Sequence, residues 1–336
     1  MSLRTALQAA LVIVLTLGGH PARSESLVAV RQVSQVDAGG LVADTVRAVP
    51  LSHEPFRAAR AIAVDPLGAL YVADAGRDVV VKMDADGSVA ATIGRTGSRG
   101  GEFDDPSGVD PTNGLVLYVA DAGNRRVQIF SRAFAYLGAI SLGGGGQDSA
   151  GGVTYRRQDD AANTFPTGTP IAVATSNAGE LFVLDAERRV VLKWNADRRM
   201  TAVIGDVDAP TGALVDPVDV AAGPESLLYV ADVGERSVLV YDHFGTYVRT
   251  IGGGRLSDVR AVAVTGRATG RAPGVLSAGR VYALLPRALM VFDDRGRFEG
   301  RMEIQVGEDL VDVSAGPDGT LYAVSSRRAY RLALRP

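Results

Sequence analysis

The chain has 336 residues, a formal charge of −3, no cysteine, 40 glycines and 15 prolines. With 46% hydrophobic and 22% charged residues it is neither a disordered chain nor a coiled coil. The missing cysteines exclude a disulfide framework, a thiolate nucleophile, a cysteine-based zinc site and a lipidated N-terminal cysteine.

At the N-terminus, Arg4 precedes an apolar stretch from Ala6 to Leu17 that ends at Gly18, Gly19, His20 and Pro21. Ala22 and Ser24 then stand two apart, as a signal-peptide cleavage site requires. The stretch is too short to span a bilayer, so residues 1–24 are expected to be a cleaved secretory signal, with no membrane span afterwards. Cleavage would remove Arg4 and Arg23 and no acid, leaving a mildly acidic periplasmic or secreted protein. That balance disfavours nucleic acid as a partner, because phosphate binding needs a basic excess.

The remainder, residues 25–336, is read as one domain built from repeats. YVADAGRDVVVKMD at Tyr71 recurs as YVADAGNRRVQIFS at Tyr118, FVLDAERRVVLKWN at Phe182 and YVADVGERSVLVYD at Tyr229. Shorter copies begin at Tyr282 and Tyr322. Each unit opens with an apolar run such as Ile62–Asp65, passes a Gly/Pro turn and enters the Tyr-Val-Ala-Asp strand. A third strand, an Asp-containing turn such as Asp84-Ala85-Asp86-Gly87 and a fourth strand ending in Ile-Gly follow. Four short antiparallel strands repeated six times predict an all-β, six-bladed β-propeller. The last unit lacks an outer strand, and residues near 41–51 form a strand without a repeat of their own. That N-terminal strand is expected to close the last blade. Two insertions, about 147–163 and 266–279, are read as loops.

The pattern from Phe103 to Phe130, a Phe, a Pro-x-Gly-Val and then YVAD-x-x-N-x-R-V-Q-x-F, resembles the NHL repeat. The resemblance covers about residues 56–334 and implies a propeller that interacts through one face. A WD40 reading fails because Trp194 is the only tryptophan. Metal-dependent lyases and lactonases of similar fold hold their ions with sets of histidines or with a Glu, asparagines and an Asp. The mature chain has only His53 and His243, in no metal motif, and the lactonase Glu-Gly-Pro opening is absent.

A residue recurring at one register serves the repeat, whereas a functional site must break the symmetry. Asp74, Asp121, Asp185 and Asp232 share a register and are expected to cap the turn between second and third strands. Trp194, in register with Met83, Phe130 and Tyr241, is expected in the core. The symmetry breaks at the starts of the innermost strands. Aligned units put Arg60 and Arg260 opposite Ser107, Thr169, Val218 and Val311, and put Asp219 and Asp312 opposite Ala61, Gly108, Pro170 and Ala261. These four charges are expected at a channel mouth within an arginine-rich rim, suited to an anionic or zwitterionic group. The competing expectation is that the charges neutralise one another in structural pairs. Arg125 and Arg188 on the rim, with Tyr155, Arg156 and Arg157 in the first insertion, are the candidate partner contacts. The expected function is a monomeric binding or scaffold module for a protein or glycan of the cell envelope, with no cofactor, no resident metal and no catalytic residue. The alternative is a divalent-metal-dependent lyase or hydrolase with its ion on Asp219 and Asp312.

Overall fold

A computed structural model describes residues 44–51, 55–112, 114–142, 168–266 and 279–333. The expected signal segment, His53, Tyr155, Arg156, Arg157 and nearly all of the second insertion lie outside these residues.

Among the described residues, twenty-four strands make up almost all of the regular structure. β1 (Asp44–Pro50) is followed by a four-stranded sheet of β2 (Ala59–Val64), β3 (Leu70–Asp74), β4 (Val79–Met83) and β5 (Val89–Ile93). The second sheet holds β6 (Pro106–Asp110), β7 (Val116–Asp121), β8 (Arg126–Ser131) and β9 (Tyr136–Ser141). The third holds β10 (Pro170–Thr175), β11 (Leu181–Asp185), β12 (Val190–Trp194) and β13 (Met200–Ile204). The fourth holds β14 (Pro217–Ala222), β15 (Leu228–Asp232), β16 (Ser237–Tyr241) and β17 (Tyr247–Ile251). The rest form one eight-stranded sheet: β18 (Ala261–Val264), β19 (Arg280–Leu285), β20 (Ala288–Asp293), β21 (Phe298–Gln305), β22 (Leu310–Ala315), β23 (Leu321–Ser325) and β24 (Ala329–Ala333), with β1 between β21 and β24.

The arrangement is all-β and propeller-like. β2, β6, β10, β14, β18 and β22 touch one another in turn, and β22 returns to β2. β1 pairs antiparallel with β24, from Arg47↔Ala333 to Pro50↔Tyr330. It also pairs parallel with β21, from Asp44↔Met302 to Arg47↔Gln305, which the sequence did not foretell.

Alternation within each strand places large apolar side chains between neighbouring sheets. Trp194 is buried beside Tyr118, Ile129 and Val183, and it occupies the register of Met83, Phe130 and Tyr241 against the second strand of each sheet. The Ile-Gly ending has a packing cause. Gly94, Gly205 and Gly252 have φ of +85°, +78° and +82°, and a Cβ there would strike buried Phe103, Leu214 and Leu256 respectively.

The recurring aspartates do more than cap a turn. Asp232 accepts the Glu235 amide within the turn, and also the Val215 and Asp216 amides of the segment leading into the innermost strand. Asp74 likewise holds the Arg57 and Ala58 amides. In the last unit Ser325 replaces the acid, and its hydroxyl accepts the Arg327 and Arg328 amides.

Candidate functional site

The first strands surround a central cavity of about 230 Å³. Arg60, Arg260, Asp219 and Asp312 all line it, so residues far apart in sequence converge there. Their chemistry differs from a four-charge cluster, because the arginines and the aspartates find separate partners.

Five of the six innermost strands carry a bulge at their start, seen for example as a register shift between Ala59 and Ala61 and between Pro217 and Asp219, and β18 carries none. Arg60 and Val218 occupy the bulges, and the same shift in β10 falls at Ile171. The equivalents of Arg60 and Asp219 in the third sheet are therefore Ile171 and Ala172, correcting the alignment that had placed Thr169 and Pro170 there. Arg60 and Arg260 are exposed. Arg60 reaches Asp105 at 3.5 Å and Arg260 reaches Asp258 at 2.9 Å, both exposed acids of the rim. Neither arginine pairs with Asp219 or Asp312 in a salt bridge among the described residues. The expectation that the four charges neutralise one another is therefore not met: the arginines take rim acids and the aspartates take backbone amides.

The two channel aspartates turn sideways onto the next sheet. Asp219 accepts the Val262 amide at 2.8 Å, joining β14 to β18. Asp312 accepts the Ile62 amide at 2.7 Å, joining β22 to β2 across 250 residues of sequence, and the Val313 amide at 2.7 Å through its other oxygen. A third latch, missed in the sequence, lies toward the other end of the channel. Asp110 at the end of β6 accepts the Thr175 amide of β10 and the hydroxyl and amide of Thr112. The three latches occupy alternate junctions of the ring. At the register of Asp219 and Asp312 the remaining strands present Ala61, Gly108, Ala172 and Ala261, and a Cβ on Gly108 would already lie 2.9 Å from the Ala172 Cα.

Desolvation within the ring pushes all three carboxyls upward, Asp110 to about 6 and Asp312 to about 7. Asp219 is raised well above the ordinary value, first by burial and then by the like charge of Asp312. A raised folded pKa stabilises the fold fully below the unfolded value near 3.8, and that contribution is lost as pH rises through about 7. Melting curves of the native protein and of Asp312→Asn between pH 4 and 8 check this. The native protein is expected to lose on the order of 2–4 kcal/mol relative to the variant across that range, whereas parallel curves would refute a protonated latch.

The rim is less uniform than the sequence suggested. Arg125 is half-buried and approaches Glu187 of the next sheet at 3.7 Å. Arg188, read as a rim contact, is instead largely buried, with its Nε 3.5 Å from the wholly buried Asp185. Arg126 is buried as well, donating to Asp121 at 2.8 Å and to the Ser98, Arg99 and Glu102 carbonyls. His243 is exposed in the turn between β16 and β17 and does not line the cavity. Among the described residues no group of three or more His, Asp or Glu side chains is placed to hold a metal ion. No helix among them is long and apolar enough to cross a membrane.

No family model matches the chain. No curated protein matches it. Solved structures resemble it in fold. Selenomethionine-substituted virginiamycin B lyase from Staphylococcus aureus has a TM-score of 0.56 at 9% identity, over 87% of this chain and 99% of that one. A streptogramin B lyase gives 0.55 at 9% identity, over 86% and 97%. A catalytically inactive histidine-to-alanine variant of the S. aureus lyase, with quinupristin, gives 0.54 at 9% identity, over 82% and 80%. At such identity the likeness is one of fold: an all-β, propeller-like architecture.

Proposed function

We propose that the protein is an extracytoplasmic six-bladed propeller of the NHL type that binds a protein or glycan of the cell envelope through its channel-mouth face and performs no reaction there. Counting the eight-stranded sheet as two four-stranded blades that share a seam at β1 supports the six-bladed reading. The sequence of residues 1–24 supports export.

One observation carries the binding reading. Arg60 and Arg260 stand exposed at one mouth and pair, among the described residues, with the rim acids Asp105 and Asp258, while Asp219 and Asp312 are committed to backbone amides. Exposed ion pairs of this kind contribute about 0–1 kcal/mol, so a carboxylate or other anionic group on a partner can displace them at little cost. Arginine adds a planar, bidentate donor pattern that suits such groups.

The lyase alternative draws on the structural neighbours, two of them lyases and a third a lyase inactivated by loss of a histidine. In this chain the described histidine sits in an outer turn. At the register of Asp219 and Asp312 the other innermost strands present Ala61, Gly108, Ala172 and Ala261, which offer no side-chain ligand beside those two carboxylates. Neither feature favours that chemistry.

The test is affinity capture from envelope extract with the mature protein and with an Arg60→Ala/Arg260→Ala double variant. Both arginines are exposed, so the variant is expected to melt as the native protein does while losing about tenfold or more in partner recovery, the equivalent of about 1.4 kcal/mol. Unchanged recovery with an unchanged melting temperature would remove the mouth from the account.

A further inference from the structure

On the face opposite Arg60 and Arg260, between the first two sheets, lies a second cavity of about 200 Å³ lined by Asp65, Leu67, Tyr71, Lys82, Arg132 and Phe134, among others. Its cations are Lys82 and the exposed Arg132, and Lys82 is one of only two lysines in the chain. The other, Lys193, provides an internal comparison, because the repeat places both at the same position: Lys82 pairs across the strands with Tyr71, and Lys193 with Phe182.

At the second location the lysine is fully supplied. Lys193 forms a 2.7 Å ion pair with Glu180, donates to the His243 carbonyl and lies 5.7 Å from the Phe182 ring centroid. At the first location the residue equivalent to Glu180, two before the aromatic, is Ala69. Lys82 makes no salt bridge among the described residues, and its ammonium lies 5.4 Å from the Tyr71 centroid and 5.6 Å from that of Phe134. The nearby carboxylate of Asp65 is taken by the Leu67 and Ala69 amides and by the Tyr71 hydroxyl.

In the turn between third and fourth strands the Phe134 amide donates to the Ser131 carbonyl, as Gly87 donates to Asp84, Gly245 to Asp242 and Gly296 to Asp293. Those glycines have φ of +89°, +87° and +81°, whereas Phe134 adopts +63° and its counterpart Arg198, which donates to the Asn195 carbonyl, +60°. The turn thus accepts a side chain in the left-handed region, and at this position the side chain is aromatic. Here it brings an aromatic wall over the lysine, edge-on to Tyr71 at 6.4 Å. Leu67, 80% exposed, extends the apolar rim.

We infer that this cavity binds a carboxylate carried on an aromatic or aliphatic group, with Lys82 as its counter-ion in the place that Glu180 fills for Lys193, and Tyr71, Phe134 and Leu67 as its apolar walls. The site is separate from the channel mouth and does not depend on it.

Saturation-transfer NMR of the full chain tests it with three probes: 3-phenylpropanoate, 3-phenylpropanamide and the peptide acetyl-Leu-Glu-amide. The acid is expected to bind, and the isosteric amide to bind about tenfold more weakly or not at all. Lys82→Gln should lose the acid. Ala69→Glu should lose it too, by supplying Lys82 with the partner that Lys193 already has, while the melting temperature stays level or rises. Peptide binding stronger than that of the free acid would assign the carboxylate to a protein partner, and the reverse order to a small acid. Equal binding of acid and amide, binding that survives Ala69→Glu in a folded protein, or no binding of either carboxylate at millimolar concentration would overturn the inference.

Discussion

A chain beginning after Leu51 is expected to lose cooperative unfolding and to aggregate. β1 is the one strand that fills the gap between β21 and β24, and its removal leaves two unpaired edges facing each other. Val46 is 2% exposed in the cluster that also holds Ile304, Tyr330 and Leu332, so the deletion opens the core as well as the ladder. Leu51 follows with its amide bonded to the Ala329 carbonyl at 2.9 Å and its side chain against Phe56, Val64 and Tyr322. Ring closure makes every other junction depend on this one, because the innermost strands return to their start at β22 and β2. Circular dichroism during heating and size-exclusion chromatography of the truncated chain give the answer. A sharp transition near the native temperature would show that the ring holds without its seam.

The second large effect is expected at Asp121. Its wholly buried carboxylate accepts the Asp104 amide, the Asn124 and Gln128 side chains and the Arg126 guanidinium. Asp121→Ala would take the carboxylate away from a 5% exposed arginine and from the Asp104 amide. Breaking such a pair costs about 3–5 kcal/mol, whereas truncating an exposed arginine such as Arg287 should cost about 0–1. Replacing both partners, as in Asp121→Leu with Arg126→Met, should recover part of the loss, since no unpaired charge remains. Denaturant unfolding of the three variants separates these outcomes. Equal destabilisation by Asp121→Ala and by the double variant would mean that lost packing, rather than a stranded charge, governs the site.

The repeat arithmetic read from Tyr71, Tyr118, Phe182 and Tyr229 carried most of the architecture, because a period-two strand pattern with glycine punctuation survives in every copy. Trp194 and the recurring aspartates were placed correctly for the same reason: a residue shared by register takes its role from the repeat. Three things were not legible. The parallel pairing of β1 with β21 leaves no trace in β1's own composition. The third unit was misaligned by two residues, Thr169 for Ile171, because the non-repeating insertion ends just before it and removes the flanking landmarks. Asp219 and Asp312 were recognised as exceptions but assigned to the channel's chemistry. Their amide partners lie on the neighbouring sheet, 43 and 250 residues away, where no local pattern reaches. Asp110 had a weak signal, an acid closing the first strand just ahead of Pro111 and Thr112, which reads as a turn rather than as a third latch.

The proposed binding function rests on the division of the channel charges into arginines paired with rim acids and aspartates bonded to backbone amides. The most direct measurement is the Ca2+, Mg2+ and Zn2+ content of the purified mature protein, read together with its melting temperature as each ion is titrated. Protein carrying no stoichiometric ion and melting at an unchanged temperature is the predicted result. One ion per chain, with a rise in melting temperature that disappears in Asp219→Asn/Asp312→Asn, would contradict it and place the chemistry of a metal at the centre of the ring.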